Sequence, residues 1–243
     1  MPVQPHLLVE EGELPAVAVM PGDPGRVERI ADRCESVETL TRNREYAVVR
    51  ARYEDTPLTL CSTGIGCPSA AIALEELANV GVDTFLRVGT TGALQADLDV
   101  GDRVIATAAA KNEGTTRRYE AVEYPAVASH DVVTALRESA EDNGVDARLG
   151  PIASDDAYYA ETEEYVADWE DAGLISVEME AAVIFTLARR RGHRAGAICT
   201  VDGNLVRGTQ KGVDTDDTEL PSAAHEGVGE AIDVALEAAT RLA

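Results

Sequence analysis

Residues 58–92 read LTLCSTGIGCPSAAIALEELANVGVDTFLRVGTTG and carry the pattern that decides the fold. Leu58–Ser62 is a short apolar run that predicts a strand. Cys67–Val80 predicts a helix, because its alanines and leucines recur on one face and its proline falls in the first turn. Gly81 ends that helix, and Thr84–Val88 predicts a buried strand. The stretch therefore predicts a strand, a helix and a second strand in succession.

The same alternation continues through the rest of the chain and predicts an α/β fold. We expect a single-domain central mixed, mostly parallel β-sheet flanked by helices on both faces. No linker, repeat or low-complexity tract divides residues 1–243, so we expect one domain. In such sheets ligands bind at the carboxyl ends of strands, which makes the loops after the strands the candidate functional positions. The other predicted strands are 16–20, 46–53, 103–109, 174–177 and 195–201, the other predicted helices are 26–33, 132–143, 162–171, 179–191 and 222–242, and the predicted loops are 110–120 and 203–220.

The charge balance is strongly acidic. The chain has 44 acidic and 21 basic residues, for a net charge of −23. A protein this negative does not follow a phosphate backbone or an anionic membrane surface, so we expect no nucleic-acid and no membrane partner. No apolar run approaches the ~20 residues that span a bilayer. The first residues lack the features of a secretory signal, so we expect a cytoplasmic protein.

Lysine is nearly absent, since Lys111 and Lys211 are the only two. A surplus of carboxylates with so few lysines favours a surface adapted to concentrated salt, where ions screen the repulsion between like charges. An ordinary acidic protein is the alternative.

The cysteines and histidines form no metal-binding pattern. The four cysteines contain no C-x-x-C pair, and the four histidines contain no H-E-x-x-H motif. We therefore expect no metal site and no cofactor, and we expect the cysteines to be small buried apolar residues.

Two of the loops after strands carry groups that bind oxyanions. In Pro21-Gly22-Asp23-Pro24-Gly25-Arg26, Gly22 can expose its N–H and Arg26 opens the next helix. Arg87 lies inside an apolar strand, where a charge needs an anion or a carboxylate, and Thr90 follows with a hydroxyl. A plain turn and a structural salt bridge are the alternative interpretations.

A third loop, Val177-Glu178-Met179-Glu180, places two carboxylates where a strand gives way to a helix. Glutamates two apart cannot share a helix face, so at least one points into the crevice at the strand ends. A carboxylate there can hold both hydroxyls of a ribose, although two solvated glutamates at a helix start are the alternative. Phosphate and ribose in one crevice indicate phosphorolysis at an anomeric carbon.

These stretches resemble the nucleoside phosphorylase family that contains uridine phosphorylases and hexameric purine nucleoside phosphorylases. The resemblance covers nearly the whole chain and is closest overall to uridine phosphorylase. It is carried by PGDPGRVERIA, TRNREY, CSTGIGCPSAAIALEELANVGVDTFLRVGTTGALQ, the VGD at 100–102 and VEMEAA.

The resemblance implies a role for each matching position. Inorganic phosphate is the co-substrate, and a nucleoside is the other partner. The implied minimal active unit is a homodimer, built into a hexamer, in which Arg44 and His6 reach the neighbouring subunit's site. The implied catalytic residues are Arg87, Glu180 and Asp202; the phosphate-binding residues are Gly22, Arg26, Arg44, Arg87 and Thr90; the ribose-binding residues are His6, Glu178, Met179 and Glu180; and the base-binding residues are Tyr158, Thr162 and Glu164.

The base-binding segment departs from both patterns of the family. Uridine phosphorylases have a glutamine and an arginine after the stacking aromatic, and here Thr162 and Glu164 are assigned to those places. The purine enzymes protonate the leaving base with an aspartate, and Asp202 lies one position early, with Arg207 a weaker candidate donor. The main hypothesis is a uridine phosphorylase-like pentosyltransferase, and the alternative is a purine nucleoside phosphorylase. A hydrolytic nucleosidase and a non-catalytic nucleoside-binding protein are weaker hypotheses.

Overall fold

The computed structural model describes residues 3–209 and 220–243. Part of the predicted loop 203–220 lies outside these residues. Within them the strands are β1 (Val17–Pro21), β2 (Ser36–Asn43), β3 (Tyr46–Tyr53), β4 (Thr56–Cys61), β5 (Thr84–Ala93), β6 (Arg103–Asn112), β7 (Ala147–Asp155), β8 (Ser176–Glu178) and β9 (Arg194–Asn204). The helices are α1 (Pro24–Ala31), α2 (Cys67–Asn79), α3 (Thr116–Tyr119), α4 (His130–Asp142), α5 (Glu163–Asp171), α6 (Ala181–Arg190) and α7 (Ser222–Leu242), with a short 3₁₀ turn at Tyr158–Ala160.

All the described strands join one mixed sheet. Its order is β2-β3-β4-β1-β5-β8-β7-β6-β9, and β9 also pairs with β5, so the second half of the sheet closes on itself. The pairs β1–β4, β1–β5, β5–β9, β6–β7 and β7–β8 are parallel. The pairs β2–β3, β3–β4, β5–β8 and β6–β9 are antiparallel. The predicted central mixed sheet is confirmed.

Helices cover both faces of this sheet. Phe85 packs with α2 and α6 in one apolar cluster, whereas its neighbour Leu86 packs with α1, α4 and α7 in the other. This division follows from the strand period of two, because consecutive side chains of β5 point to opposite faces. Arg87 follows Leu86 and so belongs to the face of Phe85 and of α2 and α6.

The sequence pattern missed β2, β7 and α3. Most β2 side chains are exposed, so this edge strand lacks the buried alternation that marks a strand. In β7 a Gly150-Pro151 pair interrupts the pattern, since both residues are typical of turns. Segment 110–120, which we expected to be a loop, contains the end of β6 and all of α3. Among the described residues, no helix combines the length and the apolar character needed to cross a bilayer.

Two loops at the carboxyl ends of parallel strands are joined directly. The loop after β4 donates from the Thr63 N–H to the Pro21 carbonyl at 2.9 Å and from the Gly64 N–H to the Gly22 carbonyl at 3.0 Å. Gly64 has a φ of +70°, and a Cβ there would lie 2.5 Å from the Glu45 side chain, so only glycine fits. These contacts fix the loop after β1 beside the loop after β4.

Candidate active site

Arg87 is the buried charge at the centre of the site. Its Nε donates to Glu178 Oε2 at 2.8 Å, and its Nη2 forms an ion pair with Glu180 Oε2. A Cβ on Gly89 would come within 2.9 Å of the Arg87 Cζ, so the guanidinium folds back over a glycine two residues on along β5. Burial alone would lower the pKa of Arg87, but Glu180 and Glu178 raise it above its ordinary value. Arg87 therefore stays charged.

The third guanidinium nitrogen of this arginine, Nη1, is buried and has no hydrogen-bond partner among the described residues. Buried polar groups are nearly always paired, so this N–H is available to a ligand. It lies next to Gly22, where a Cβ would come within 4.0 Å of it. The geometry therefore directs one donor of Arg87 toward the loop after β1.

Arg26 brings a second guanidinium to the same place. It is buried, and its Nη1 donates to the carbonyl of Val88, within β5, at 3.3 Å. Burial and the nearby charge of Arg87 both lower the pKa of Arg26. Two like charges held this close are relieved by an anion between them, and guanidinium groups suit the oxygens of phosphate.

Glu178 anchors this arrangement rather than remaining available to a ligand. Its carboxylate accepts hydrogen bonds from Ser154 Oγ at 2.5 Å, from the Glu180 N–H at 2.9 Å and from the Ala181 N–H at 3.0 Å, besides Arg87. The two oxygens of Glu178 thereby accept hydrogen bonds from residues at the start of α6, in β7 and in β5. The sequence predicted a ribose role for Glu178 and left a structural salt bridge as the alternative for Arg87, and the structure displays that salt bridge.

Glu180 is the second carboxylate that pairs with Arg87. It is 5 % exposed, and its Oε1 accepts from the Gly66 N–H at 2.5 Å. Burial raises the pKa of Glu180, while the charge of Arg87 opposes that rise. Its placement between Arg87 and the loop after β4 fits a group that accepts from sugar hydroxyls beside a bound oxyanion.

A second cluster of titratable side chains lies at the ends of β7 and β9. It consists of Tyr158, Glu161, Asp155 and Asp202, and we call it the base-end cluster. The pKa of Tyr158 is raised to about 12 by burial and by the charges of Asp202 and Glu161. The pKa of Glu161 is raised to about 7 by burial and by the charges of Asp155 and Asp202. These side chains are therefore within electrostatic reach of one another.

Asp202 owes its position to a break in the β5–β9 ladder. Thr91 pairs with Val201, but Gly92 pairs with Gly203, so Asp202 is the extra residue. An extra residue in a strand re-aims its side chain and is common beside active sites. Arg207, the weaker donor candidate, instead pairs with Asp99 at 2.5 Å.

The remaining predicted site residues differ in how deeply they are buried. Thr90, within β5, and Met179, directly after β8, are both half-buried. Thr162 is exposed, and its hydroxyl accepts from the Tyr165 N–H at 3.2 Å as the N-cap of α5, while Glu164 is exposed in the first turn. The structure thus does not bring Thr162 and Glu164 into the base-end cluster, and their assignment to the base stays a prediction.

Arg44 and His6 lie apart from the two arginines. Arg44 is exposed in the β2–β3 turn with a φ of 55°, and no hydrogen bond or ion pair joins it to Arg26, Arg87 or Glu180 within the described part of the chain. His6 Nδ1 lies 2.6 Å from Glu76 Oε1, and the backbone N–H of His6 also donates to Glu76. A carboxylate only accepts, so Glu76 fixes the proton of His6 on Nδ1.

Sequence reasoning missed several residues that shape the site. Ser154 escaped because β7 was not predicted, and the Gly66 N–H carries no side-chain signal. In the sequence Glu76 looks like an ordinary residue of α2, because its partner His6 lies 70 residues earlier in the chain. Glu161 lies within the stretch inspected for base binding, but only its burial distinguishes it from its acidic neighbours.

The fold and the site together define an α/β protein whose candidate site gathers two buried arginines and two buried glutamates around its parallel strands. The phosphorylase superfamily model matches residues 16–242. The guanosine phosphorylase of Halorubrum lacusprofundi is 63% identical over 242 residues, which covers 100% of both chains. The uridine phosphorylase of Thermococcus kodakarensis is 41% identical over 217 residues, 84% of this chain and 78% of that one. The crystal structure of Toxoplasma gondii purine nucleoside phosphorylase with immucillin-H superimposes with a TM-score of 0.92 at 30% identity, covering 100% of this chain and 97% of that chain.

The chain belongs to the phosphorylase superfamily. The predicted resemblance to nucleoside phosphorylases, the enzyme class of pentosyltransferases and the fold class are all confirmed. The main hypothesis, a uridine phosphorylase-like enzyme, is only partly right, because the alternative of a purine nucleoside phosphorylase is better supported.

Proposed function

We propose that this enzyme catalyses the reversible phosphorolysis of purine nucleosides, with guanosine as the preferred substrate. The observation that carries the reaction type is the buried Arg87, whose Nη2 pairs with Glu180, whose charge acts on Arg26 and whose Nη1 has no hydrogen-bond partner among the described residues. The 63% identity to a guanosine phosphorylase supports the choice of base. The products are the free base and ribose 1-phosphate, or its deoxy form.

In this proposal phosphate binds between the two arginines. Nη1 of Arg87, the guanidinium of Arg26, the Gly22 N–H and the Thr90 hydroxyl hold its oxygens. One oxygen then attacks C1′ on the face opposite the base, and the bond from C1′ to the base nitrogen breaks. Fixed positioning supplies up to ~7–11 kcal/mol in well-oriented reactions.

Glu180 holds the ribose while C1′ gains positive charge. Its carboxylate accepts from the 2′ and 3′ hydroxyls, and its negative charge favours the oxocarbenium-like transition state. The bond electrons leave with the base, which needs a proton. Asp202 is the proposed donor when protonated, since its displaced position in β9 places it in the base-end cluster with Tyr158. The chemistry requires no cofactor and no metal ion.

We further propose that the active unit is at least a homodimer, built into a hexamer, in the cytoplasm. Arg44 and His6 are the residues lent to the neighbouring site. The exposure of Arg44 and the fixed orientation of His6 support this role, because a residue used by another subunit must project from its own.

A substrate panel tests the reaction and the base together. Guanosine, inosine, adenosine, uridine and thymidine are incubated with and without phosphate in concentrated KCl, and the release of free base is measured. We expect guanosine to react fastest and only with phosphate. Release of base without phosphate would indicate a hydrolase, binding without turnover would indicate a nucleoside-binding protein, and faster turnover of uridine would contradict the purine assignment.

A further inference from the structure

Ser154 is a buried serine near the end of β7 whose hydroxyl makes two hydrogen bonds of opposite sense. It is wholly removed from solvent, and in the parallel β7–β8 pairing it lies opposite Glu178. Its hydroxyl donates to Glu178 Oε1 at 2.5 Å and accepts from the Ala182 N–H at 2.9 Å. A backbone N–H only donates and an ionised carboxylate only accepts, so the hydroxyl proton has one direction, toward Glu178.

This proton does more than the start of α6 requires. The first N–H groups of a helix need acceptors from outside the helix. Glu178 accepts from the Glu180 and Ala181 N–H groups. The oxygen of Ser154 accepts from the next N–H, that of Ala182, and any acceptor would satisfy this contact. The proton of Ser154 has no part in capping the helix, and its hydrogen bond acts on the Glu178 carboxylate alone.

Glu178 transmits the effect of this hydrogen bond to Arg87. Its second oxygen, Oε2, accepts from Arg87 Nε at 2.8 Å. The guanidinium is a rigid plane, so any turn at Nε also turns Nη1. Nη1 has no hydrogen-bond partner within residues 3–209 and 220–243, and a Cβ on Gly22 would come within 4.0 Å of it. The direction of Nη1 therefore depends on how Glu178 is held.

Glu180 is held by a separate contact. Besides its ion pair with Arg87, its Oε1 accepts from the Gly66 N–H at 2.5 Å, in the loop after β4. Within the described part of the chain, no hydrogen bond joins Ser154 to Glu180. A change at Ser154 should thus alter the orientation of Arg87 more than that of the carboxylate proposed to hold the ribose.

We propose that Ser154 is a positioning residue for phosphate: its hydroxyl orients Glu178, and Glu178 holds the Arg87 guanidinium with Nη1 toward the phosphate. This proposal rests on the proposed phosphorolysis and names a residue that controls phosphate binding at the same site. Ser154 contacts neither substrate and acts through two side chains. Without its hydroxyl, Glu178 keeps its backbone donors but can tilt, and small displacements of a binding group reduce both affinity and rate.

The Ser154→Ala variant tests this role. We expect KM for phosphate to rise roughly 10-fold, the scale of one hydrogen bond to a charged group, while KM for guanosine changes by less than about 2-fold. Calorimetric titration of inorganic phosphate alone should show the same loss of affinity. Ser176→Ala is the matched control, because Ser176 is equally buried in β8 and its hydroxyl has no hydrogen-bond partner among the described residues. It should leave both KM values unchanged.

Two further variants separate positioning from a structural role. Ser154→Cys keeps a side chain of similar size but donates weakly, so it should also raise KM for phosphate, and it replaces Ser154→Ala if that variant does not fold. In an Arg87→Lys background the rigid guanidinium is absent, so adding Ser154→Ala should lower kcat/KM for phosphate by less than about 2-fold further. Circular dichroism in molar KCl checks that each variant is folded.

The outcomes separate this proposal from the function on which it rests. A raised phosphate KM beside a normal guanosine KM, lost in the Arg87→Lys background, supports the role of Ser154. An unchanged phosphate KM in a folded variant overturns that role, as does a full additional loss in the Arg87→Lys background or a lower kcat with both KM values unchanged. In each of these cases wild-type phosphorolysis stands. A wild-type enzyme that cleaves no nucleoside with phosphate would instead contradict the proposed function itself.

Discussion

Nε of Arg87 donates to Oε2 of Glu178 at 2.8 Å, and both side chains are almost wholly removed from solvent. Because Glu178 is itself held by two backbone N–H groups at the start of α6, the guanidinium cannot swing away from the crevice. Carboxylates hold Nε and Nη2 of Arg87, and Nη1, which has no hydrogen-bond partner in the described part of the chain, is available to a ligand. Preorganised donors of this kind act on a transition state without a cost of reorganisation.

Arg87→Ala should therefore reduce phosphorolysis by about 10²–10³, as expected for the loss of one preorganised contact to the transition state. Steady-state kinetics at saturating nucleoside and varied phosphate measure the effect. Arg148→Ala serves as the control, since Arg148 is an exposed residue of β7 that pairs with Asp97. Near-normal turnover in Arg87→Ala would remove this residue from the site.

Glu180→Ala should weaken the binding of nucleoside while phosphate still binds. The variant removes the proposed acceptor of the ribose hydroxyls but retains Arg26 and the Arg87 contact with Glu178. Separate KM values for the two substrates, together with calorimetric titration of phosphate alone, distinguish the two effects. Equal loss of both affinities would show that Glu180 supports the whole pocket rather than the sugar.

Arg44 offers a test of the shared site. Arg44→Ala and Arg87→Ala subunits should each be nearly inactive alone, yet co-expression should restore activity. In a mixed dimer, one site has its own Arg87 and receives Arg44 from the other chain, so about a quarter of wild-type activity should return on random pairing. Tandem affinity tags isolate the mixed species for assay. No recovery in the purified mixed species would place Arg44 outside its neighbour's site.

The net charge of −23 predicts a stability that depends on salt. Repulsion between surface carboxylates weakens as the Debye length falls from about 10 Å at 0.1 M to about 3 Å at 1 M. The melting temperature should therefore rise from dilute buffer to molar KCl, and dialysis into dilute buffer should unfold the protein. Circular dichroism during thermal unfolding measures this dependence. An equal melting temperature across the series would favour the alternative of an ordinary acidic protein.

The sequence predicted those parts of the fold and site whose signal is local. The helix at 67–79 and the strand around Arg87 follow from periodicity, and a charge inside an apolar strand is visible without coordinates. Contacts between residues of different strands, by contrast, leave no signal in the local sequence. Ser154 donates to Glu178, and Asp155 accepts a hydrogen bond from the Ala157 N–H. Both residues lie in β7, a strand that the sequence pattern missed because a Gly-Pro pair interrupts it. Asp202 likewise lies one position earlier than the aspartate of the purine enzymes, and the sequence gives no sign of the slipped β5–β9 register that makes it the extra residue of β9.

The ionisation of Glu161 affects the stability of the fold, because burial and the charges of Asp155 and Asp202 raise the pKa of this carboxyl group to about 7. A carboxyl group whose pKa is higher in the folded than in the unfolded state binds protons more strongly when folded, so it contributes stability at low pH that is lost as the pH rises. Between the ordinary glutamate value of 4.5 and about 7, the free energy of unfolding of the wild-type protein should fall relative to that of Glu161→Gln. Denaturant titrations of both proteins across this range, in constant salt, measure the difference. A parallel pH dependence of the two proteins would contradict a raised pKa of Glu161 in the folded state.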